Sequence, residues 1–166
     1  MRKIAHIVNP VNVDRTSDLY TAQPITFETM RIAKMVAKDK VDVTLYSAQY
    51  PEDAYLVPED FHKTKDLERS IEDVFDFRVK RNLPLLKGIL DRLYQESDAE
   101  FFIYTNVDIA LMPHFYIAVD RIINNGYDAF VINRRTIPEH YTNVNDIPLM
   151  YSEIGTLHNG YDCFIF

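Results

Sequence analysis

Two oxygen-bearing side chains, Asn106 and Asp108, stand two residues apart at the end of the apolar run Phe101 to Tyr104. On an extended segment, residues at that spacing point the same way. A pair of this kind can share a hard cation such as Mg²⁺, which takes oxygen ligands and bridges to phosphates. In open α/β sheets the carboxyl ends of strands are where ligands bind. The plain alternative is that an Asn and an Asp end a strand and open a turn.

Other residues carry less specific chemistry. Arg134-Arg135 follows an apolar run and could grip a phosphate or an acidic ligand, or be a solvated basic pair. Cys163 is the single cysteine, so no intrachain disulfide forms, and its apolar neighbours fit a small buried hydrophobe. His6 falls in a buried run and reads as a core residue. His62, His114 and His140 show no metal-ligand spacing. The chain has no G-x-x-x-x-G-K-[ST], no G-x-G-x-x-G and no G-x-S-x-G motif, and no Cys/His array for structural zinc.

Elements that could position these residues can be read along the chain. A length of 166 residues suits one domain, 1–166, with a real core. A net charge of −7 argues against nucleic acid as a main partner. No stretch reaches the roughly 18 apolar residues of a membrane span. No signal-peptide core follows Met1, which leads to the expectation of a cytoplasmic protein.

Lys3 to Val8 predicts a buried strand stopped by Pro10. A helix is expected from about Pro24 to Lys38, with Pro24 in its first turn. A strand over Val41 to Tyr46 should run parallel to the first. Lys65 to Lys80 reads as a surface helix or an ordered excursion. Asn82 and Pro84 are expected to open a helix with Leu86, Ile89, Leu90 and Leu93 on one face. The strand Phe101 to Tyr104 follows. A helix opened by Pro113 presents Phe115, Val119 and Ile122, and ends at Asn125-Gly126. Ala129 to Asn133 and Asp162 to Phe166 are the last apolar runs. That final run invites three expectations: a fragment of a longer protein, a partner copy completing the sheet, or a last strand at a sheet edge.

This order of elements resembles the GT-A fold of nucleotide-sugar-dependent glycosyltransferases. Four pieces carry the resemblance. Ile4-Ala5-His6-Ile7-Val8-Asn9-Pro10 is similar to the first strand and loop that meet the nucleotide base. Arg81-Asn82 is similar to the Arg-Asn pair before the helix that precedes the metal motif. Thr105-Asn106-Val107-Asp108 stands where the Asp-x-Asp motif belongs. His158-Asn159-Gly160-Tyr161-Asp162-Cys163-Phe164 resembles the Gly-x-Asp-type segment on the acceptor side.

The resemblance implies an α/β Rossmann-type sandwich with a mostly parallel central sheet flanked by helices. It implies transfer of a sugar from a nucleotide-diphosphate sugar to a carbohydrate or other hydroxyl acceptor. Charge grows on the departing diphosphate, and Mn²⁺ or Mg²⁺, or basic residues, must meet it. Asp108 and Asn106 would be the metal ligands. Asn9, Pro10, Asn12, Arg81, Asn82 and Asn106 would bind the donor. An inverting mechanism also needs a general base, for which Asp162 is the first candidate and Glu153 the second. His158 could orient the acceptor.

The sequence departs from the family pattern in three places. Asn106 replaces the first Asp of the metal motif with a neutral donor. Tyr46-Ser47-Ala48-Gln49 lacks the Asp that often reads the base, and Glu52-Asp53 come late. The family's C-terminal segment, often with a His ligand, is not represented. These departures keep open a non-catalytic GT-A-like module that binds a ligand or partner. Nucleotidyl transfer would bring a Gly-rich loop after the first strand, and Asn9-Pro10-Val11-Asn12 has no glycine.

Overall fold

Alternation along the first strand decides how the layers form. In the computed structural model, which describes residues 1–79 and 82–166, β1 spans Arg2–Val8. Ile4 and Val8 point to one side of the sheet and Ala5 and Ile7 to the other, and both sets are buried. A strand buried on both faces needs helices on both.

The chain supplies them. Helix α1 (Asp18–Ala37) and helix α3 (Phe115–Asn124) cover one face, with Met30, Ala33, Tyr116 and Val119 in the core. Helix α2 (Leu86–Glu96) covers the other with Ile89 and Leu93. Between these layers lies a six-stranded sheet that also contains β2 (Val41–Ser47), β3 (His62–Lys63), β4 (Phe101–Thr105), β5 (Phe130–Val131) and β8 (Cys163–Ile165). Its order is β3-β2-β1-β4-β8-β5. β1 is parallel to β2, as expected, and to β4; β8 runs antiparallel to both its neighbours. The architecture is therefore α/β with a mostly parallel sheet and flanking helices. A separate two-stranded piece joins β6 (Arg135–Thr136) to β7 (Thr156–Leu157), and the short α4 (Ile147–Met150) lies between them in sequence.

Several boundaries differ from the sequence reading. Helix α1 starts at Asp18, because Ser17 caps it through a hydrogen bond from the Leu19 N–H; Pro24 lies inside the helix, on its exposed side. Helix α2 starts at Leu86 and Asn82 does not cap it; the Asn82 amide donates to Glu52 instead, at 3.2 Å. Helix α3 is turned by one residue, burying Tyr116, Val119 and Ile123 rather than Phe115, Val119 and Ile122. The described part of Lys65 to Lys80 is an irregular excursion with one 3-10 turn, Ile71–Asp73. Of Leu67, Ile71, Val74 and Phe75, which stand at helical spacing in this stretch, only Leu67 is buried, while Val74 and Phe75 stay exposed, so a helix there would have no face to bury. The last apolar run is not at an edge: β8 lies between β4 and β5. Among the described residues, no helix is long and apolar enough to cross a membrane.

The sheet order creates a switch point. From β1 the chain goes to β2 on one side and later to β4 on the other. Crevices at the carboxyl ends of such neighbouring strands are where open α/β sheets take ligands. The loop after β1 and the Thr105–Asp108 tip of β4 both end there.

Candidate functional site

Antiparallel β8 enters the sheet beside β4, with Thr105 opposite Cys163. This register sets Asp162, just before β8, next to Asn106, just after β4. The Asn106 amide donates to Asp162 Oδ1 at 3.0 Å, and the Asn106 backbone N–H donates to the Asp162 carbonyl at 3.3 Å. The Asn106 side-chain oxygen accepts from the Tyr104 hydroxyl at 3.0 Å. Burial, then the charges of Asp108 and Asp162, push the Tyr104 phenol above its ordinary value, so it remains a donor.

Arg134 closes the cluster from the other side. Its Nη1 donates to Asp108 Oδ2 at 3.1 Å, and its Nη2 to His158 Nε2 at 2.9 Å. Because a guanidinium only donates, His158 Nε2 accepts and its proton sits on Nδ1, which faces Thr136 Oγ1 at 3.3 Å. Arg134 Nε lies 2.9 Å from Asp162 Oδ2, yet the pair lacks hydrogen-bond alignment and both atoms are shut off from solvent. The two opposite charges nevertheless meet as an ion pair that closes the cluster. The three charged side chains are 17 to 33% exposed, enough to meet a ligand without being freely solvated.

Gly160 permits this packing. A Cβ there would fall 2.8 Å from His158 Nε2 and 3.0 Å from Asp162 Oδ2. The glycine thus lets the histidine ring and the carboxylate close over the chain.

Asp108, Arg134 and Asp162 line one wall of a cavity of about 330 Å³. Its remaining walls are largely apolar, with Leu111, Phe115 and Ile137 among them. Glu153 lines the same cavity, but the Tyr141 hydroxyl donates to its carboxylate at 2.5 Å. Tyr151 also lines it, and its buried hydroxyl has no hydrogen-bond partner among the described residues. An apolar pocket with a few convergent polar groups is the usual form of a small-molecule site.

The loop after β1 builds different ground. Asn9 donates its amide to the Ala48 carbonyl at 2.7 Å, tying β1 to the end of β2. Pro10 is buried. The Asn12 N–H donates to Asp53 Oδ1 at 2.8 Å. Burial raises the Asp53 carboxyl, and that hydrogen bond opposes the rise. Asn12 lines a second cavity, of about 550 Å³, with Gln23, Phe27 and Tyr55. Arg81 lies outside the described residues.

The fold therefore joins Asn106, Asp108 and Asp162 in one cluster and puts Glu153 on the same cavity. It sets Asn12 at a second cavity, whose lining shares no residue with the first, and engages Asn82 elsewhere. Tyr104 and Tyr151 were not singled out by the sequence. The alternation of β4, which aims Tyr104 and Asn106 the same way, carried a usable signal for the first; nothing local marked Tyr151.

His6 is fully buried between the Tyr116 hydroxyl (2.8 Å) and Thr105 Oγ1 (2.9 Å), and burial lowers its pKa to about 3. Cys163 is buried, and burial pushes its thiol up to about 12, which leaves no thiolate for nucleophilic chemistry.

Two carboxylates at a strand end suit a hard cation by chemistry alone. As placed, they do not fit one. Asp108 and Asp162 are already in contact with Arg134, and the Asn106 oxygen is already engaged by Tyr104. Among the described residues, no group of three or more His, Cys, Asp or Glu side chains is arranged to hold a metal ion.

No protein-family model matches the sequence, and no curated protein matches it significantly.

Proposed function

We propose that this chain is a GT-A-like domain that binds a nucleotide-diphosphate sugar and transfers the sugar to a hydroxyl acceptor. One observation carries the reading: Asn106, Asp108, Arg134 and Asp162 meet at the carboxyl end of β4, beside the switch point and against an apolar cavity. Displacement at an anomeric carbon needs a group that meets the charge of the leaving diphosphate and a base for the acceptor. Arg134 supplies a cation there, and Asp162 a carboxylate. The second cavity, along α1 and the loop after β1, offers room for the nucleoside. Asp162 is the first choice for the base, because Glu153 is held by Tyr141.

A non-catalytic binding module is the second reading. It is favoured by the hydrogen bond from Asn106 to Asp162 Oδ1 and by the burial of Oδ2 beside Arg134, which keep both oxygens from an acceptor's proton.

Thermal unfolding against UDP-, GDP-, CMP- and dTDP-sugars, each with and without Mn²⁺ or Mg²⁺, tests donor binding. A ligand that binds only the native state raises Tm. One nucleotide sugar should raise it, and Asp108→Ala should weaken the shift. No shift from any donor would sink the glycosyltransferase reading. A shift without sugar transfer or donor hydrolysis would favour the binding module.

A further inference from the structure

We infer that Arg134 is the resident cation of this site, so that the cluster binds a diphosphate-type anion without a divalent metal. The inference deepens the glycosyltransferase reading, on which its choice of ligand rests.

The position of the guanidinium is the first argument. It stands against both carboxylates that would otherwise be free to gather a metal: Asp108 through Nη1 and Asp162 through Nε. A divalent cation would have to displace a side chain that is also held by His158. Asn106 reinforces the arrangement. A neutral amide at this position donates to Asp162, whereas a carboxylate would add a third negative charge to a cluster with one full positive charge.

Donor capacity is the second argument. A guanidinium carries five N–H bonds. Among the described residues, Arg134 makes hydrogen bonds with one on Nη1 and one on Nη2. One N–H on each terminal nitrogen thus remains for a ligand, and the misaligned Nε–H has unspent capacity against Asp162. Arg134 also lines the 330 Å³ cavity, so an anion there can reach it. Planar fork geometry makes arginine suited to two phosphate oxygens at once, in a way lysine is not. The two carboxylates hold the guanidinium in place, and His158 fixes its third nitrogen. The guanidinium is thus held in a fixed orientation at the cavity wall, and Arg135 lines the same cavity as a second cation.

The test uses two probes on the full chain: inorganic pyrophosphate in EDTA, and Mn²⁺ alone. Calorimetry on wild type, Arg134→Gln and Arg134→Lys gives affinities, and circular dichroism checks folding. Wild type should bind pyrophosphate in EDTA. Arg134→Gln should weaken it at least about tenfold, the loss expected for a charged hydrogen-bond donor. Arg134→Lys, which keeps the charge and loses the fork, should fall between them and serves if Arg134→Gln does not fold. Mn²⁺ alone should bind Arg134→Gln more tightly than wild type, because that variant frees two carboxylates. Pyrophosphate binding that needs Mn²⁺, or that ignores both substitutions, overturns the inference. So does Mn²⁺ affinity that is the same in wild type and variant.

The two ideas fail separately. Nucleotide sugars that bind only with Mn²⁺ would leave the glycosyltransferase reading standing and remove this one. Pyrophosphate binding through Arg134 with no response to any nucleotide sugar would do the reverse.

Discussion

Asn106 and Asp162, 56 residues apart in sequence, are joined twice, by side chain and by backbone. The amide of Asn106 points its N–H at one carboxylate oxygen of Asp162, while Arg134 approaches the other. A position that looked like a weakened metal ligand is thereby a hydrogen-bond donor.

Replacing that donor tests the point. Asn106→Asp should lower stability by about 1–3 kcal/mol, since it loses a charged hydrogen bond and sets two carboxylates together. Added Mn²⁺ should restore part of the loss in the variant and leave wild type unchanged. Urea unfolding with and without Mn²⁺ measures both. Equal stability of the two proteins in EDTA would show that the amide has no such role.

Buried His6 makes acid sensitivity predictable. Its folded pKa is about 3, against an ordinary value near 6.5. Between those values the unfolded chain binds more protons than the native one, so acid favours unfolding. The contribution of neutral His6 is complete above about pH 6.5 and is lost as pH falls toward 3, with a slope of at most about 1.4 kcal/mol per pH unit. Asp14 and Asp60 have lowered carboxyl pKa values, the first from hydrogen bonds to Thr16 and the second chiefly from Arg31; their losses begin only further into acid. Unfolding free energies of wild type and His6→Gln from pH 4 to 7 should show a shallower slope in the variant. Parallel curves would contradict the assignment.

Two glycines separate site geometry from backbone strain. Gly155 has a φ of +63°, and a Cβ there would lie 2.7 Å from the Thr136 carbonyl oxygen. Gly155→Ala should therefore cost about 1–3 kcal/mol. At Gly160 the nearest atoms belong to side chains that can turn away, so Gly160→Ala should cost within about 1 kcal/mol. It should still weaken pyrophosphate binding, because the His158 ring must shift from its place beside Arg134 while Asp162 gives by only a few tenths of an ångström. Calorimetry and Tm on both variants distinguish the two effects.

Once the donor is known, the two carboxylate candidates can be ranked. Asp162→Asn should reduce transfer by about 100-fold or more if Asp162 is the base. Glu153→Gln should leave turnover essentially unchanged, since its partner is Tyr141. Initial rates across pH provide the comparison, and the opposite ranking would move the base to Glu153.

Local sequence patterns anticipated the main strands well. Lys3 to Val8, Val41 to Tyr46 and Phe101 to Tyr104 all lie within observed strands, because strands buried on both faces read as apolar runs with β-branched residues. The strong stripe of Leu86, Ile89, Leu90 and Leu93 also announced α2, in which Ile89 and Leu93 are buried. Helix starts were less legible. Pro24 and Asn82 are locally good openers, yet the Ser17 cap and an uncapped start at Leu86 prevailed. Orientation was less legible again: α3 turns by one residue because Tyr116 reaches His6 in the core.

By itself, the sequence determined an α/β chain and a polar tip at the end of β4, since periodicity and strand-ending residues act over a few positions. Tertiary structure decided what that tip is. Antiparallel β8 had to enter beside β4 before Asp162 could meet Asn106, and the chain after β5 had to return before Arg134 could meet both carboxylates. Ion pairs and shared hydrogen bonds depend on distances of a few ångströms between remote segments. No spacing along the chain encodes those distances; the order and direction of the strands do.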